Sequence, residues 1–454
     1  MHRLLLLGTA LLESTLSVAV SLTAPAFLLG SEMATKEFLR DVRKKLNSDH
    51  GRKANLVLGN TSGDLDSICS AIAYAQLLHQ IEVMKKKEGT LHVPILNFPR
   101  KELCLRLQSQ FWLSQKDLIG GEEGTEGTVE TLLTFIDDPE VQKYLDDPAV
   151  SISLTDHNEL DASQESLAPR VTRVIDHHVE GPRSVLRRDG EEKPMFSVMG
   201  GTSVGSCCTL VTEEWIRFLS ESSEGEGLPR AVAFLLGGPV LTDTINFAEN
   251  LRGQRWSERD EKAIDQISKV LGWESSERLR QFDLLSNVKF DRAANLAVGP
   301  LNLLRMDAKT FDYRPTGGKP EDTAVRTAYA SLCLDLGETI RHFGASAFSS
   351  ALADFAKEKG GAALVVVLGC VPDEESGGMR RQLVLWSGGF FGLDQLRGIA
   401  SVLDSKGAEL ENLELDGVAG EGTEATAPLL LFRQKNSKAS RKMLEPWVSA
   451  AVSA

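Results

Sequence analysis

The sequence predicts an α/β protein: a doubly wound parallel sheet in the first part of the chain, followed by a second, smaller α/β domain. Short apolar runs of strand length alternate with longer stretches in which apolar residues recur at helical spacing. Polar segments rich in Asp, Asn and His follow several of the apolar runs directly. This is the arrangement expected at the carboxyl ends of parallel strands, where open α/β sheets build their binding sites.

The first domain is predicted to span residues 50–272. Leu56–Leu58 and His92–Leu96 are predicted strands, and Ser67–Gln80 between them is a predicted helix with apolar residues at helical spacing. A further helix is predicted from Asp260 to Leu271, with Ser257 as its N-cap. The domain boundary is expected at Gly272–Gln281, and Gly120–Gly127 is a predicted loop.

The second domain is predicted to begin near Phe282 and to span residues 282–454. Its predicted elements are strands at Ala362–Leu368, Gln382–Trp386 and Leu429–Phe432, a helix at Leu393–Leu403 and a loop at Gly417–Gly422. Neither glycine-rich loop has the spacing of a nucleotide-binding motif.

Four polar segments carry the candidate chemistry, and each is expected to follow a buried strand. They are G-N-T-S-G-D-L-D-S at Gly59–Ser67, T-D-H-N-E at Thr155–Glu159, I-D-H-H at Ile175–His178 and L-T-D-T at Leu241–Thr244. Carboxylates with imidazole and without thiolate suit two hard or borderline divalent cations, such as Mn²⁺, Mg²⁺ or Co²⁺. Taken alone, Asp64 and Asp66 would be explained as a helix N-cap and a first-turn acid.

These segments resemble the motifs of the DHH phosphoesterase superfamily, specifically its DHHA2 branch. That branch contains the class II inorganic pyrophosphatases, the yeast-type exopolyphosphatases and the prune proteins. Three more segments match it: V-G-S-C at Val204–Cys207, L-L-R-M-D-A-K at Leu303–Lys309 and A-S-R-K at Ala439–Lys442. The resemblance extends from about Asn55 to the C-terminus.

One difference from the pyrophosphatase motifs favours the exopolyphosphatase branch. Where the bacterial-type pyrophosphatases open the first motif with His, this chain has Asn60, as the exopolyphosphatase and prune proteins do. The animal prune proteins typically have Asp-His-Arg in the third motif, whereas Asp176, His177 and His178 are intact here.

The resemblance implies a set of metal ligands. One ion would be bound by Asp66, Asp156, His177 and Asp243, and the other by Asn60, Asp64 and the bridging Asp156. An amide oxygen is a weaker ligand than imidazole, so Asn60 should shift the preference of its site towards Mg²⁺. Asp176 and His157 are expected to orient His177 or the bridging carboxylate.

The resemblance also implies the residues that act on the substrate. His178 would contact the transferred phosphoryl group or protonate the leaving oxygen, so that His178 and Asp176 are the candidate catalytic residues. Four cations of the second domain would bind phosphate as it closes over the metals: Arg305, Lys309, Arg441 and Lys442. Alone, any of them would be interpreted as part of a solvated basic face.

The predicted reaction is metal-assisted hydrolysis of a phosphoanhydride without a covalent intermediate. Inorganic polyphosphate, cut from its end to release orthophosphate, is the expected substrate, and pyrophosphate is the alternative. A prune-like interaction protein is disfavoured by His178 and by the lack of a long tail after Ala454. A RecJ-like nuclease is disfavoured by the S-R-K segment and the acidic balance.

Composition adds limits on partners and location. The net charge of −14 argues against a nucleic-acid partner. Six cysteines without a C-x-x-C pair indicate a reducing compartment, so the protein is expected in the cytoplasm, without membrane attachment and with a monomer favoured. Residues 1–34 are expected to be a leader or upstream extension, and an organellar or secretory signal is the alternative.

Overall fold

The computed structural model describes residues 34–48, 53–86, 89–115, 129–181, 183–186, 196–201, 204–221, 227–314, 324–373, 378–413 and 428–453. The expected leader and the predicted loops at Gly120–Gly127 and Gly417–Gly422 lie outside these residues, apart from Ala34. Within the described residues no helix is long and apolar enough to span a membrane.

The first sheet has five parallel strands in the order β2-β1-β3-β4-β5. The strands are β1 (Ala54–Leu58), β2 (Leu91–Ile95), β3 (Ser151–Thr155), β4 (Val171–Asp176) and β5 (Phe196–Met199). All residues of β1 and β2 are buried, which explains why apolar residues predominate in both strands. The predicted parallel sheet is confirmed, and its strand order reverses between β1 and β3, the position where such sheets bind ligands.

Nine helices in the described part of the first half accompany this sheet. They are α1 (Thr35–Ser48), α2 (Leu65–Met84), α3 (Leu107–Leu113), α4 (Val129–Leu132), α5 (Pro139–Asp146), α6 (Cys207–Glu221), α7 (Arg230–Asp243), α8 (Glu258–Leu271) and α9 (Ser275–Lys289). Helix α2 confirms the predicted helix but begins two residues earlier, at Leu65. Helix α8 is confirmed with its Ser257 capping box, and it ends at Gly272 with a φ of 73°.

The second half forms a six-stranded sheet in the order β10-β11-β9-β8-β7-β6. The elements are α10 (Arg292–Ala297), α11 (Pro300–Met306), β6 (Ala308–Tyr313), β7 (Val325–Leu332), α12 (Leu336–Phe343), α13 (Ala345–Glu358), β8 (Leu364–Asp373), β9 (Gly378–Trp386), α14 (Leu393–Leu403), β10 (Leu410–Asn412), β11 (Leu429–Gln434) and α15 (Arg441–Val452). Of its described pairings only β7 with β8 is parallel. The chain therefore has the predicted α/β class, with a parallel sheet followed by a second, mixed sheet.

This second sheet has a hydrophobic core on each face. Val365, Val367 and Val384 pack on one face with α11 and α13, whereas Val366 and Leu383 pack on the other with α14 and α15. The two sets alternate along the strands, as the two-residue period of a strand requires.

The predicted start of the second domain at Phe282 falls inside a helix. Phe282 belongs to α9, which packs against α3 and α7 of the first half. The first strand of the second sheet begins only at Ala308.

Candidate metal and phosphate site

The ends of three adjacent parallel strands bring candidate ligands together. Asn60 lies in the loop after β1, Asp156 directly follows β3, and His177 directly follows β4. Asp156 has a left-handed backbone, with a φ of 62°. Asp and Asn tolerate this conformation better than most other residues, and such strain concentrates at functional sites.

His177 lies between two buried carboxylates. Its Nε2 is 3.2 Å from Oδ1 of Asp156 and 3.8 Å from Oδ2 of Asp66. Its Nδ1 lies 3.0 Å from the carbonyl oxygen of Val204. Because a carbonyl can only accept, Nδ1 carries the proton and Nε2 is directed at the carboxylates, which is how proteins orient a metal-ligating histidine.

Asp66 lies at the N-terminus of another helix. One oxygen accepts hydrogen bonds from the Ser206 hydroxyl at 2.7 Å and the Cys208 N–H at 2.9 Å, and the other accepts from the Cys207 N–H at 2.7 Å. These donors belong to the first turn of α6 and the residue before it, so its positive end stabilises the carboxylate. The V-G-S-C segment thus holds Asp66 in place.

Asp64 and Asp243 complete an acidic cluster, which we define as Asp64, Asp66, Asp156 and Asp243. Asp64 is the N-cap of α2 and accepts a hydrogen bond of 2.9 Å from the Ser67 N–H. Asp243 is the last residue of α7, so the prediction that it follows a strand is wrong. Helix α7 is buried on all sides, and a short apolar run from such a helix cannot be distinguished from a buried strand by periodicity.

Burial and mutual repulsion disfavour the ionised form of two carboxyl groups of the cluster. Burial, and then the charges of Asp66 and Asp64, raise the pKa of Asp243 to about 8 and that of Asp156 well above its usual range. Burial lowers the pKa of His177, but its bond to Asp156 and the charges of Asp156 and Asp66 outweigh this and raise it to about 9.

Asn60 is not placed as the predicted ligand. Its amide oxygen accepts three hydrogen bonds, from the Ser62 N–H, the Ser62 hydroxyl and the Gly63 N–H, at 2.7 to 3.0 Å. Its Nδ2 donates to Asp156 Oδ2 at 2.7 Å. Because two backbone donors need the oxygen as acceptor, the amide cannot turn it towards the cluster without leaving them unsatisfied.

Asp176 orients His178 rather than His177. Oδ1 of Asp176 lies 2.8 Å from Nδ1 of His178 and also accepts the His178 N–H, while Oδ2 accepts a bond from Asn158 at 2.6 Å. The expected role of Asp176 beside His177 is therefore corrected. Nδ1 of His157 lies 2.9 Å from the carbonyl oxygen of Thr155, two residues earlier in the chain.

The donor set fits a divalent cation. One ligand atom each from Asp156, His177 and His178 lies within 4.8 Å of the others. Oδ1 of Asp156 is buried and makes no hydrogen bond of good geometry, although Nε2 of His177 lies 3.2 Å away, and such an oxygen is costly to bury unless a cation completes its surroundings. Imidazole and carboxylate ligands without a thiolate suit Mn²⁺, Co²⁺ or Mg²⁺.

Cations from the second sheet face the cluster. Burial and the charge of Arg441 lower the pKa of Lys309, which lies on β6. The charges of Asp156 and Asp64 oppose this lowering, so both carboxylates lie within electrostatic range of Lys309. Lys442, in the first turn of α15, acts on both His177 and His178, since its charge opposes their protonation. Arg441, its neighbour, donates to Asp307 Oδ1 at 2.8 Å.

Arg305, a predicted phosphate-binding residue, is paired with a carboxylate in the structure. Its guanidinium forms an ion pair with Glu358 of α13 through both Nε and Nη2. Its Nη1 donates to the side chain of Asn302, one turn earlier in α11. Arg305 therefore ties α11 to α13.

Sequence reasoning missed two further cations near the cluster. Lys289, the last residue of α9, is exposed, and its ammonium lies within electrostatic range of Asp64, Asp243 and Asp307. Arg106 is buried and donates a hydrogen bond of 3.1 Å to the carbonyl of Ser62, in the loop of the first motif, Gly59–Ser67. Both are single basic residues outside any motif, so only the packing of α3, α7 and α9 locates them.

Two domain families match the chain. Residues 55–236 match the DHH family, N-terminal domain, and residues 295–451 match the DHHA2 domain. The first range contains the acidic cluster apart from Asp243, and the second contains Lys309, Arg441 and Lys442.

Proteins named as exopolyphosphatases are similar in sequence. The chain is 29% identical to Exopolyphosphatase PRUNE1 of Mus musculus over 61% of its own length and 53% of that protein. It is 28% identical to the "Putative exopolyphosphatase" of Schizosaccharomyces pombe over 88% of its length and 91% of that protein. The chain thus spans about half the length of its mammalian relatives and most of the yeast one.

A solved structure shares the fold. The "putative family II inorganic pyrophosphatase" of Methanococcus jannaschii aligns with a TM-score of 0.52 and 16% identity, over 88% of this chain and 100% of that one. At this identity the likeness concerns the fold alone, and it includes both sheets because it covers most of the chain.

Proposed function

The chain belongs to the DHH family, with a DHHA2 domain as its second half, and we propose that it is a metal-dependent exopolyphosphatase. It would hydrolyse the terminal phosphoanhydride bond of inorganic polyphosphate and release orthophosphate. One observation carries this proposal: Asp156 and His177 lie in contact, and the ammonium groups of Lys309 and Lys442 lie within electrostatic range of them. Carboxylates and imidazole suit the cations, and ammonium groups suit the phosphate oxygens that those cations would bind.

We propose that Asp64, Asp66, Asp156, His177 and Asp243 hold two divalent ions of the Mn²⁺, Mg²⁺ or Co²⁺ class. Bound there, such ions would lower the pKa of water and neutralise charge on the phosphoryl oxygens. Asn60 would contribute by holding Asp156 through its Nδ2 rather than by binding metal. This leaves the site beside Asp64 with one ligand fewer than the motif implied.

His178 would handle the proton of the reaction. Burial is the main cause that lowers its pKa to about 3, even though the bond to Asp176 opposes this, so the ring is neutral. With the Nδ1 proton directed at Asp176, Nε2 is the free acceptor. A polyphosphate end group would bring several negative charges close to the ring, which favours its protonated form and prepares it to donate to the leaving oxygen.

Lys309, Arg441 and Lys442 would bind the phosphate groups. Lys309 and Lys442 offer point charges, whereas Arg441 can use the part of its guanidinium that Asp307 leaves free. The proteins named exopolyphosphatase in mouse and fission yeast support this choice of substrate.

The test is an assay of orthophosphate release from long-chain polyphosphate, tripolyphosphate, pyrophosphate and single-stranded DNA, with Mg²⁺, Mn²⁺ or Co²⁺. We expect release from long-chain polyphosphate and tripolyphosphate, and none without metal. Asp156→Asn is the matched control, because Asn keeps the size and tolerates the left-handed backbone but lacks the charge. A preference for pyrophosphate would assign the pyrophosphatase activity, and no release from any substrate would favour an interaction protein.

A further inference from the structure

The first turn of α15, Arg441–Glu445, is anchored to the second sheet through its first residue, Arg441. Nη1 of Arg441 donates to Asp307 Oδ1 at 2.8 Å and to the Ser331 hydroxyl at 3.1 Å. Asp307 immediately precedes β6, and Ser331 belongs to β7. This turn carries two of the proposed phosphate-binding residues, Arg441 and Lys442.

The turn lacks one of the hydrogen bonds that would join it to the rest of its helix. Pro446 lies inside α15 and has no N–H, so the helical hydrogen bond to the carbonyl of Lys442 is missing. The N-cap, Ser440, makes no capping bond with its side chain. Contacts outside the helix therefore have a larger share in fixing the position of this turn than in an uninterrupted helix.

A buried polar network supplies a second anchor. The Tyr313 hydroxyl donates to Glu445 Oε1 at 2.8 Å and lies 3.0 Å from the Tyr329 hydroxyl. Because the Tyr313 proton points to Glu445, Tyr329 must be the donor to Tyr313. Tyr313 is 6% exposed and Tyr329 is fully buried, so this network works at low dielectric, where each hydrogen bond is stronger.

The network lies on the same face of the sheet as Lys309. Tyr329 pairs directly with Lys309 across β6 and β7, and opposite residues of an antiparallel pair point to the same face. At 100° per residue, Arg441, Leu444, Glu445 and Val448 form one stripe of α15. Leu444 and Val448 are buried against this face, while Lys442 projects from the flank of the stripe and is exposed.

We propose that Glu445 is a positioning residue for the cations of the first turn. Its bond to Tyr313 fixes the rotation of that turn and thereby the direction of Lys442 and Arg441, in place of the helical bond that Pro446 removes. This inference rests on the proposed function for the role of the two cations, but the anchoring itself does not.

The variants are Glu445→Ala, Glu445→Gln and Tyr313→Phe in the full chain. Glu445→Gln keeps an oxygen that accepts from Tyr313, so it should restore what Glu445→Ala loses. Ser387→Ala is the matched control, because it removes two other hydrogen bonds beside the same sheet, from the Ser387 hydroxyl to the Ala363 carbonyl at 2.8 Å and from the Phe391 N–H to the Ser387 hydroxyl at 2.9 Å. It therefore reports the effect of destabilisation alone.

Two measurements are needed. Hydrogen exchange should be faster at the amides of Met443 and Leu444, which donate to the Ser440 carbonyl, in Glu445→Ala and Tyr313→Phe only. Steady-state kinetics on tripolyphosphate should show KM raised roughly three- to tenfold, with kcat less affected, as expected for the loss of one hydrogen bond. When Lys442 is already replaced by Ala, Glu445→Ala should raise KM by a smaller factor than it does in the wild-type protein.

Unchanged exchange in Glu445→Ala, or an equal rise in KM in Ser387→Ala, would overturn the positioning role. If wild type hydrolyses no phosphoanhydride, the proposed function fails, and exchange still decides whether Glu445 anchors the turn. Faster exchange with unchanged KM would show that the anchored turn does not serve the substrate, and the inference would be wrong.

Discussion

Asn60 donates a hydrogen bond of 2.7 Å from its Nδ2 to Oδ2 of Asp156. The two residues follow the neighbouring strands β1 and β3, and the bond joins the first motif to the second. The amide oxygen serves the turn instead, where it accepts from the N–H groups of Ser62 and Gly63. Asn60 thus stabilises the proposed metal site without offering it a ligand.

Asn60→His is predicted to add a ligand to the site. An imidazole at this position is the stronger ligand for Mn²⁺ and Co²⁺, so calorimetric titration should show affinity higher by on the order of tenfold. Activity should shift towards pyrophosphate. Asn60→Ala is the control for loss of the turn, and equal affinities in both variants would mean that position 60 cannot reach the metal.

The sequence was sufficient to predict a parallel first sheet and the polar residues that follow its strands, although β5 was not among the predicted strands. Strands β1, β3 and β4 contain buried apolar residues and are followed by polar motifs, so Asp156 and His177 could be placed together before any coordinates. The orientation of Asn60 could not be predicted, because it depends on which donors the loop Thr61–Gly63 turns towards the amide. Motif matching identifies a residue but not the direction of its polar atoms.

Two other differences have a similar cause. Asp243 ends a helix because α7 is buried all round, and its apolar run has no periodicity that would separate it from a strand. Arg305 belongs to a matching motif, yet Glu358, more than fifty residues later, takes its guanidinium. Such long-range partners are set by tertiary packing and are invisible to local patterns.

Lys289 is predicted to contribute to binding of the substrate. Lys289 is an exposed residue whose ammonium lies within electrostatic range of Asp64, Asp243 and Asp307, and among the residues that the structure describes no carboxylate forms an ion pair with it. Lys289→Gln should raise KM for tripolyphosphate roughly five- to tenfold, the loss of one charge-assisted contact. Lys269→Gln, at an exposed lysine near the end of α8, is the control and should leave KM unchanged.

Arg441→Ala and Arg305→Ala are predicted to have different effects on activity, although both arginines belong to matching motifs. Arg441→Ala should leave metal binding intact and lower kcat/KM by about 1.5–3 kcal/mol, as expected for one charge-assisted contact. Arg305→Ala should change kcat/KM by less than about twofold, because its ion pair with Glu358 is exposed and worth little. An equal loss in both variants would contradict the placement of Arg305.

Removal of metal is predicted to make the stability of the protein fall as the pH rises from 7 to 8.5. The pKa of Asp243 is raised from 3.8 to about 8, and that of His177 from 6.5 to about 9. In this window the folded state therefore binds more protons than the unfolded state. Each such proton lowers the free energy of unfolding by up to about 1.4 kcal/mol per pH unit.

With Mn²⁺ bound the decline should disappear, because the metal takes the ionised carboxylates and displaces the protons that the metal-free folded state holds. Calorimetric Tm values in EDTA and in Mn²⁺ should thus diverge as the pH rises, and the apparent affinity for metal should increase. The Asp243→Asn variant cannot titrate at this position, so the stability of the metal-free protein should depend less steeply on pH. A metal-free protein that is more stable at pH 8.5 than at pH 7 would show that the acidic cluster is not held protonated.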